Sequence, residues 1–217
     1  MGIKGVIHMR IVKQTSKEFG FPFIAYIPDR ISDHPALLLQ LHGAGERGDT
    51  PEELDLVLFH GYSKVVTDEN LKDCILVMPQ CPKNSFWVAK IESIRKFIDH
   101  IVAAYSIDPG RIYMCGLSMG GYGTWYTAMA YPELFAAIAP CCGGGMAWNA
   151  GVLTMPVWAF HGAEDTTVSP CQTREMAAVL QDRNPEFRCT IYEGVGHDSW
   201  TKALSEDLLR WFLSHRK

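Results

Sequence analysis

The sequence predicts an α/β fold: a mostly parallel central sheet, helices on both of its faces, and an antiparallel edge supplied by the N-terminal residues. Three observations carry this expectation. Continuous apolar runs at 36–41, 74–78 and 136–140 read as strands buried on both faces. Helical segments alternate with such runs. Glycine-rich loops follow several of them, at the carboxyl ends of strands, where parallel sheets carry their chemistry. A chain of 217 residues in such a fold is expected to form one domain, 1–217.

Taken in order, residues 6–13 and 21–28 alternate as antiparallel edge strands joined near Glu18-Phe19-Gly20, with Pro22 and Pro28 suited to an edge or a strand end. The buried run 36–41 stops at His42-Gly43-Ala44-Gly45-Glu46-Arg47-Gly48. A short helix is expected over 51–59 and a buried strand over 74–78, ended by Pro79. Ile91, Ile94, Ile98, Ile101 and Tyr105 recur at three- and four-residue steps, predicting an amphipathic helix over 88–104. Asp108-Pro109-Gly110 makes a turn. A strand at 111–115 then leads through Gly116-Leu117-Ser118-Met119-Gly120 into a helix over 119–130. Further strands are expected at 136–140, 157–160 and 187–192. Ser169-Pro170 starts one helix with a serine cap and a first-turn proline. Ser205 caps the last, whose acids Glu206 and Asp207 face the helix dipole.

Composition narrows the function classes. The chain is 47% hydrophobic and 20% charged, with a net charge of −4, as an ordinary globular protein is. Lys and Arg are scattered, with no basic stripe, which argues against a nucleic-acid partner. No apolar stretch is long enough to span a bilayer. The start, Met1 to His8, lacks the apolar core of a signal peptide. The expectation is a cytoplasmic chain, or a secreted domain whose leader is absent. Seven cysteines contain no Cys-x-x-Cys pair, which argues against zinc and thioredoxin-like chemistry. Cys74, Cys115, Cys141 and Cys189 lie in or beside apolar runs and read as buried, reduced thiols. The oligomeric state is left open.

Strand, Gly-x-Ser-x-Gly, helix is the context that gives Ser118 meaning. The turn is too tight for side chains at its flanks, so Gly116 and Gly120 supply the missing Cβ atoms. A serine hydroxyl needs a base, and the base needs an orienting acid. Among eight histidines, His197 in Gly194-Val195-Gly196-His197-Asp198-Ser199-Trp200 follows the last strand and fits the base. His42 and His161 each precede a glycine at a strand end and are read as loop-shaping residues. Asp165, in the loop after the 157–160 strand, fits the acid, with Glu164 as its competitor. The order Ser118, Asp165, His197 is the one expected of such a strand–turn–helix site. Two N–H donors are needed for a tetrahedral intermediate. Met119 supplies one and the 42–45 loop the other, at Ala44 or, failing that, Gly43.

These motifs, with Pro79-Gln80-Cys81-Pro82 and Gly196-His197-Asp198-Ser199-Trp200, resemble those of α/β-hydrolases of the serine esterase type, close to the bacterial esterase/prolyl-oligopeptidase-like family. The resemblance covers nearly the whole chain from the His42 loop onward. It implies an ester hydrolase; relatives include carboxylesterases acting on feruloyl or acetyl groups of plant polysaccharides. Dienelactone hydrolases share the fold but place cysteine where Ser118 stands. The stretch between Ser118 and Asp165 is too short for a large helical lid, so an open cleft is expected. It would admit a small-molecule or polysaccharide-linked ester. Trp87, Trp148 and Trp200 fall on loops at the functional end, where they either wall that cleft or pack. No metal or cofactor is called for. A peptidase and a non-catalytic binding module are the alternatives.

Overall fold

The computed structural model describes residues 9–16 and 18–217. Eight strands run through them: β1 (Arg10–Gln14), β2 (Phe23–Ile27), β3 (Ala36–Leu41), β4 (Cys74–Pro79), β5 (Ile112–Leu117), β6 (Ala137–Cys141), β7 (Val157–Gly162) and β8 (Phe187–Tyr192). They form one sheet in the order β1-β2-β4-β3-β5-β6-β7-β8. β1 pairs antiparallel with β2, and β2 antiparallel with β4; every other pairing is parallel. This is the α/β-hydrolase arrangement, a mostly parallel sheet with an antiparallel N-terminal edge.

The alternation of side chains divides the core. On β3, Leu37, Leu39 and Leu41 join one apolar cluster, while Ala36 and Leu38 join the other. The first cluster is covered by α2 (Ile91–Tyr105), α3 (Met119–Ala130) and α4 (Cys171–Leu180). The second is covered by α1 (Asp68–Leu71), α5 (Trp200–Ala203) and α6 (Glu206–Leu213), with the 3-10 stretch Glu53–Leu58. Burial on both sides is why these strands are continuous apolar runs. α2 turns Ile94, Phe97, Ile98 and Ile101 inward. The Ser205 hydroxyl accepts from Leu208 N and caps α6.

Three expectations need correction. β2 is not an edge strand: it lies between β1 and β4 and all five of its residues are buried. Only β1 is outermost on that side; the expectation for residues 6–8 lies outside the described residues. The segment expected as a helix over 51–59 is 3-10, Glu53–Leu58. All seven cysteines are free, and Cys74, Cys115 and Cys141 are buried, but Cys189 is exposed because it lies on β8, the other edge of the sheet.

Candidate active site

β5 ends at Leu117 and α3 begins at Met119, so Ser118 alone turns the chain. It does so at φ 54° and ψ −116°, in the left-handed half of the map that side chains avoid. Such a residue costs on the order of 1–3 kcal/mol and persists only where its surroundings enforce it. Here Ser118 N donates to Cys141 O at 3.0 Å, and Tyr122 N donates back to Ser118 O at 3.1 Å. The flanking glycines allow the close approach. A Cβ on Gly116 would lie 2.2 Å from Gly120 O, and one on Gly120 would lie 2.0 Å from Leu41 O.

The structure brings Ser118, Asp165 and His197 together. His197 Nε2 is 2.9 Å from Ser118 Oγ, and His197 Nδ1 is 2.7 Å from Asp165 Oδ2. Asp165 sits in the turn after β7, and His197 in the loop after β8. Ala163 N donates to Tyr192 O and Glu164 N to Val195 O, each at 2.9 Å, so the two loops are stitched together. The other carboxylate oxygen of Asp165, Oδ1, accepts from Thr167 N and Val168 N, both at 2.9 Å. Burial works to raise the Asp165 carboxyl, but the His197 bond and the Val168 and Thr167 amides outweigh it and hold the group below the usual carboxylate range. Glu164, the competitor, is exposed. With Nδ1–H donating to the carboxylate, Nε2 is free to take a proton from the serine hydroxyl.

The 42–45 loop lies against this serine: a Cβ on Gly43 would be 3.7 Å from Ser118 Cβ. Ala44 opens the 3-10 turn Ala44–Glu46, and Met119 opens α3. An N–H at the first position of a helical turn has no acceptor within that turn. His42 fixes the loop. Its Nδ1 is 2.6 Å from Gly43 O and its Nε2 receives Cys81 N–H at 2.9 Å, so Nδ1 carries the proton. Burial pushes the ring down to about 4, against the Gly43 carbonyl bond that favours the charged form. His42 is therefore neutral at pH 7.

The three tryptophans separate. Trp87 is fully buried, and its Nε1–H donates to His42 O at 2.9 Å. It packs beneath the 42–45 loop and has no surface to offer a substrate, which corrects the expectation that it walls the cleft. Trp200 is 9% exposed and sets its ring edge-on to His197 at 5.2 Å, so it buttresses that imidazole. Trp148 is 83% exposed on the 3-10 stretch Ala147–Val152. A cleft of about 210 Å³ beside Met119 is lined instead by Phe86, Val88, Met119, Tyr122 and Tyr126. Sequence reasoning missed these. Phe86 is 53% exposed and Trp87 is 0% exposed, and nothing in the pair itself says which faces outward. The available signal was helical spacing, which puts Tyr122 and Tyr126 one turn apart on α3. Between Ser118 and Asp165 the chain makes α3, β6, β7 and short 3-10 turns, leaving the cleft open.

Among the described residues, Cys142, Asp165 and His197 offer donor atoms within 4.8 Å of one another. Two of the three are already bonded to each other. No helix of the described residues is long and apolar enough to cross a membrane.

This geometry agrees with what the chain is similar to. Feruloyl esterase B of Neurospora crassa is 28% identical over 214 residues, covering 86% of this chain and 67% of that protein. The bifunctional acetylxylan esterase/xylanase XynS20E of Neocallimastix patriciarum is 24% identical over 176 residues, covering 76% of this chain and 24% of its own. The chain thus spans a quarter or less of the length of some curated relatives it matches. A thermostable esterase of known structure superposes with a TM-score of 0.80 at 28% identity, over 96% of this chain and 63% of that one. The family model for phospholipases and carboxylesterases matches residues 82–213, a stretch that runs from the segment between β4 and α2 through the serine turn and both loops to the end of α6. By that match, the chain belongs to the phospholipase/carboxylesterase family of α/β-hydrolases.

Proposed function

We infer that the protein is a serine carboxylesterase working through an acyl-enzyme. The observation that carries this is the unbroken hydrogen-bonded run Asp165–His197–Ser118, at 2.7 and 2.9 Å. Ser118 Oγ attacks the ester carbonyl while His197 Nε2 takes its proton. The backbone N–H groups of Met119 and Ala44 receive the oxyanion, a role worth about 3 kcal/mol per donor. His197 then returns the proton to the leaving alcohol. Water, deprotonated by the same nitrogen, clears the acyl group. Asp165 holds His197 in the tautomer this needs and stabilises the imidazolium.

The acyl group lodges in the cleft of Phe86, Val88, Met119, Tyr122 and Tyr126. Its aromatic walls suit the planar face of an aromatic acid. With the open site, this favours feruloyl, or smaller acetyl, esters carried by plant polysaccharides. The relatives named feruloyl esterase and acetylxylan esterase support the same reading. Ser118→Ala should abolish hydrolysis of p-nitrophenyl acetate and labelling by a fluorophosphonate. Retained turnover would overturn the assignment of the nucleophile. A screen of acetyl, butyryl and feruloyl esters, each with free and polysaccharide-linked alcohols, tests the substrate class.

A further inference from the structure

A second imidazole touches the same carboxylate oxygen as His197. His161, at the end of β7, is fully buried, and its Nε2 lies 3.2 Å from Asp165 Oδ2 and 3.0 Å from Val168 O. Both neighbours are acceptors, so Nε2 carries a proton and donates. The other nitrogen, Nδ1, is 2.7 Å from Thr173 Oγ1, and that hydroxyl also lies 3.1 Å from Gly143 O. A hydroxyl has one proton to give. If Thr173 gives it to Nδ1, the His161 ring is neutral. If Thr173 gives it to Gly143 O, Nδ1 donates to Thr173 and the ring is cationic. In either arrangement the Nε2–H goes to Val168 O, with Asp165 Oδ2 beside it at 3.2 Å.

Asp165 accepts three hydrogen bonds, two from backbone amides on Oδ1 and one from His197 on Oδ2, and the His161 ring packs against Oδ2. Its side chain has no exposed surface through which water could replace a lost donor. The network also reaches the serine turn. Thr173 bonds Gly143 O, two residues beyond Cys141, whose carbonyl receives Ser118 N.

We propose that His161 is a positioning residue for the hydrolytic reaction: its Nε2–H holds the Val168 carbonyl, and with it the turn whose Thr167 and Val168 amides grip Asp165 Oδ1, while its ring backs Oδ2 where His197 needs it. The proposal rests on the reading of Ser118, Asp165 and His197 as the catalytic set. Losing the contact lets the carboxylate turn about its two amide bonds, and misdirects His197 before any substrate arrives. The damage falls on the proton transfer, so it is read in kcat and leaves KM unchanged.

Two polar replacements of different reach test this. The amide nitrogen of Gln superposes on Nε2 and can donate to Val168 O. Asn, one methylene shorter, can satisfy Thr173 but not reach that carbonyl. Active sites are counted by fluorophosphonate labelling, so that unfolded protein does not enter the rates. Per labelled site, His161→Gln should keep kcat within about twofold of the native protein. His161→Asn should lose about tenfold, as a lost buried hydrogen bond does, with KM unchanged. The His197–Asp165 proton, a low-field resonance, should be kept in the Gln variant and shifted in the Asn variant. Equal turnover per site in the two variants, or a loss expressed in KM, would overturn the proposal. Retained turnover in Ser118→Ala would instead remove the reading on which it rests.

Discussion

The dipeptide His-Gly ends two strands, at His42-Gly43 on β3 and at His161-Gly162 on β7, and the two copies are wired in opposite senses. His42 protonates Nδ1, donates it to its own neighbour's carbonyl, and uses Nε2 to receive Cys81 N–H. Its ring is enclosed by backbone groups, by Trp87, whose ring centre is 5.0 Å away, and by the Glu46 carboxylate, 3.9 Å from Nδ1. His161 protonates Nε2 and donates it to Val168 O, with the Asp165 carboxylate 3.2 Å away. The first shapes the loop that would supply an N–H donor in the proposed mechanism; the second backs the carboxylate that would orient His197. Residue type and strand position are the same. What differs is the partner each nitrogen meets, and that partner decides which nitrogen keeps the proton.

Changing the carboxylate should damage the β7 side most. In Asp165→Asn, the amides of Thr167 and Val168 hold the carbonyl oxygen, so the amide NH2 faces the Nδ1–H of His197. The base is forced into the wrong tautomer. A fall in kcat of about 10⁴-fold is expected, while the folded state persists. Steady-state rates with p-nitrophenyl acetate, normalised to folded protein by circular dichroism, measure it.

The β3 side should declare itself through acid stability. His42 titrates near 6.5 when unfolded and at about 4 when folded. As pH falls, the unfolded chain binds that proton first. The contribution is therefore fully present above pH 6.5 and is lost progressively toward pH 4, amounting to about 3 kcal/mol. Asp165 behaves differently: its folded carboxyl lies below its unfolded value of 3.8, so its contribution is present above that value and lost beneath it. Urea unfolding at pH 7.0 and 4.5 should thus separate the two strand ends. His42→Gln should flatten the loss between those pH values. An unchanged slope would mean that the His42 ring is not held neutral by burial.

The smallest effect is expected at Trp87. Trp87→Phe keeps most of the packing volume but leaves His42 O without its donor. A stability loss of about 1–3 kcal/mol should follow, with KM for aromatic esters unchanged. A changed KM with unchanged stability would return Trp87 to the cleft wall.

Much of this was legible before any coordinates. Strands buried on both faces announce themselves as apolar runs, and β3, β4, β5 and β6 fall within a residue or two of the runs that predict them. α3 falls on 119–130 because the glycine-flanked serine marks its start. Ser118, Asp165 and His197 were traceable because each follows a strand, in an order that a parallel sheet converts into proximity. The misreadings share another cause. Phe86 and Trp87 exchange roles because facing is set by what the 3-10 turn Trp87–Ala89 packs against, not by residue type. β2 is enclosed because β4 pairs with it across the sheet, which no local pattern encodes. His161 looks like His42 in sequence, each with an acid four residues on that folds back to its ring, and only the contacts of that acid separate them: Asp165 lies 3.2 Å from His161 and bonds His197, while Glu46 lies 3.9 Å from His42.

The stitching of the Asp165 and His197 loops has a mechanical consequence. Asp165 and His197, the acid and base of the proposed mechanism, sit on loops tied to each other after β7 and β8, while Ser118 rides on β5, with β6 between them. The gap between Nε2 and Oγ is therefore the catalytic contact that spans the sheet, and a relative shift of those strands bears on it before it bears on the bond between Nδ1 and Oδ2.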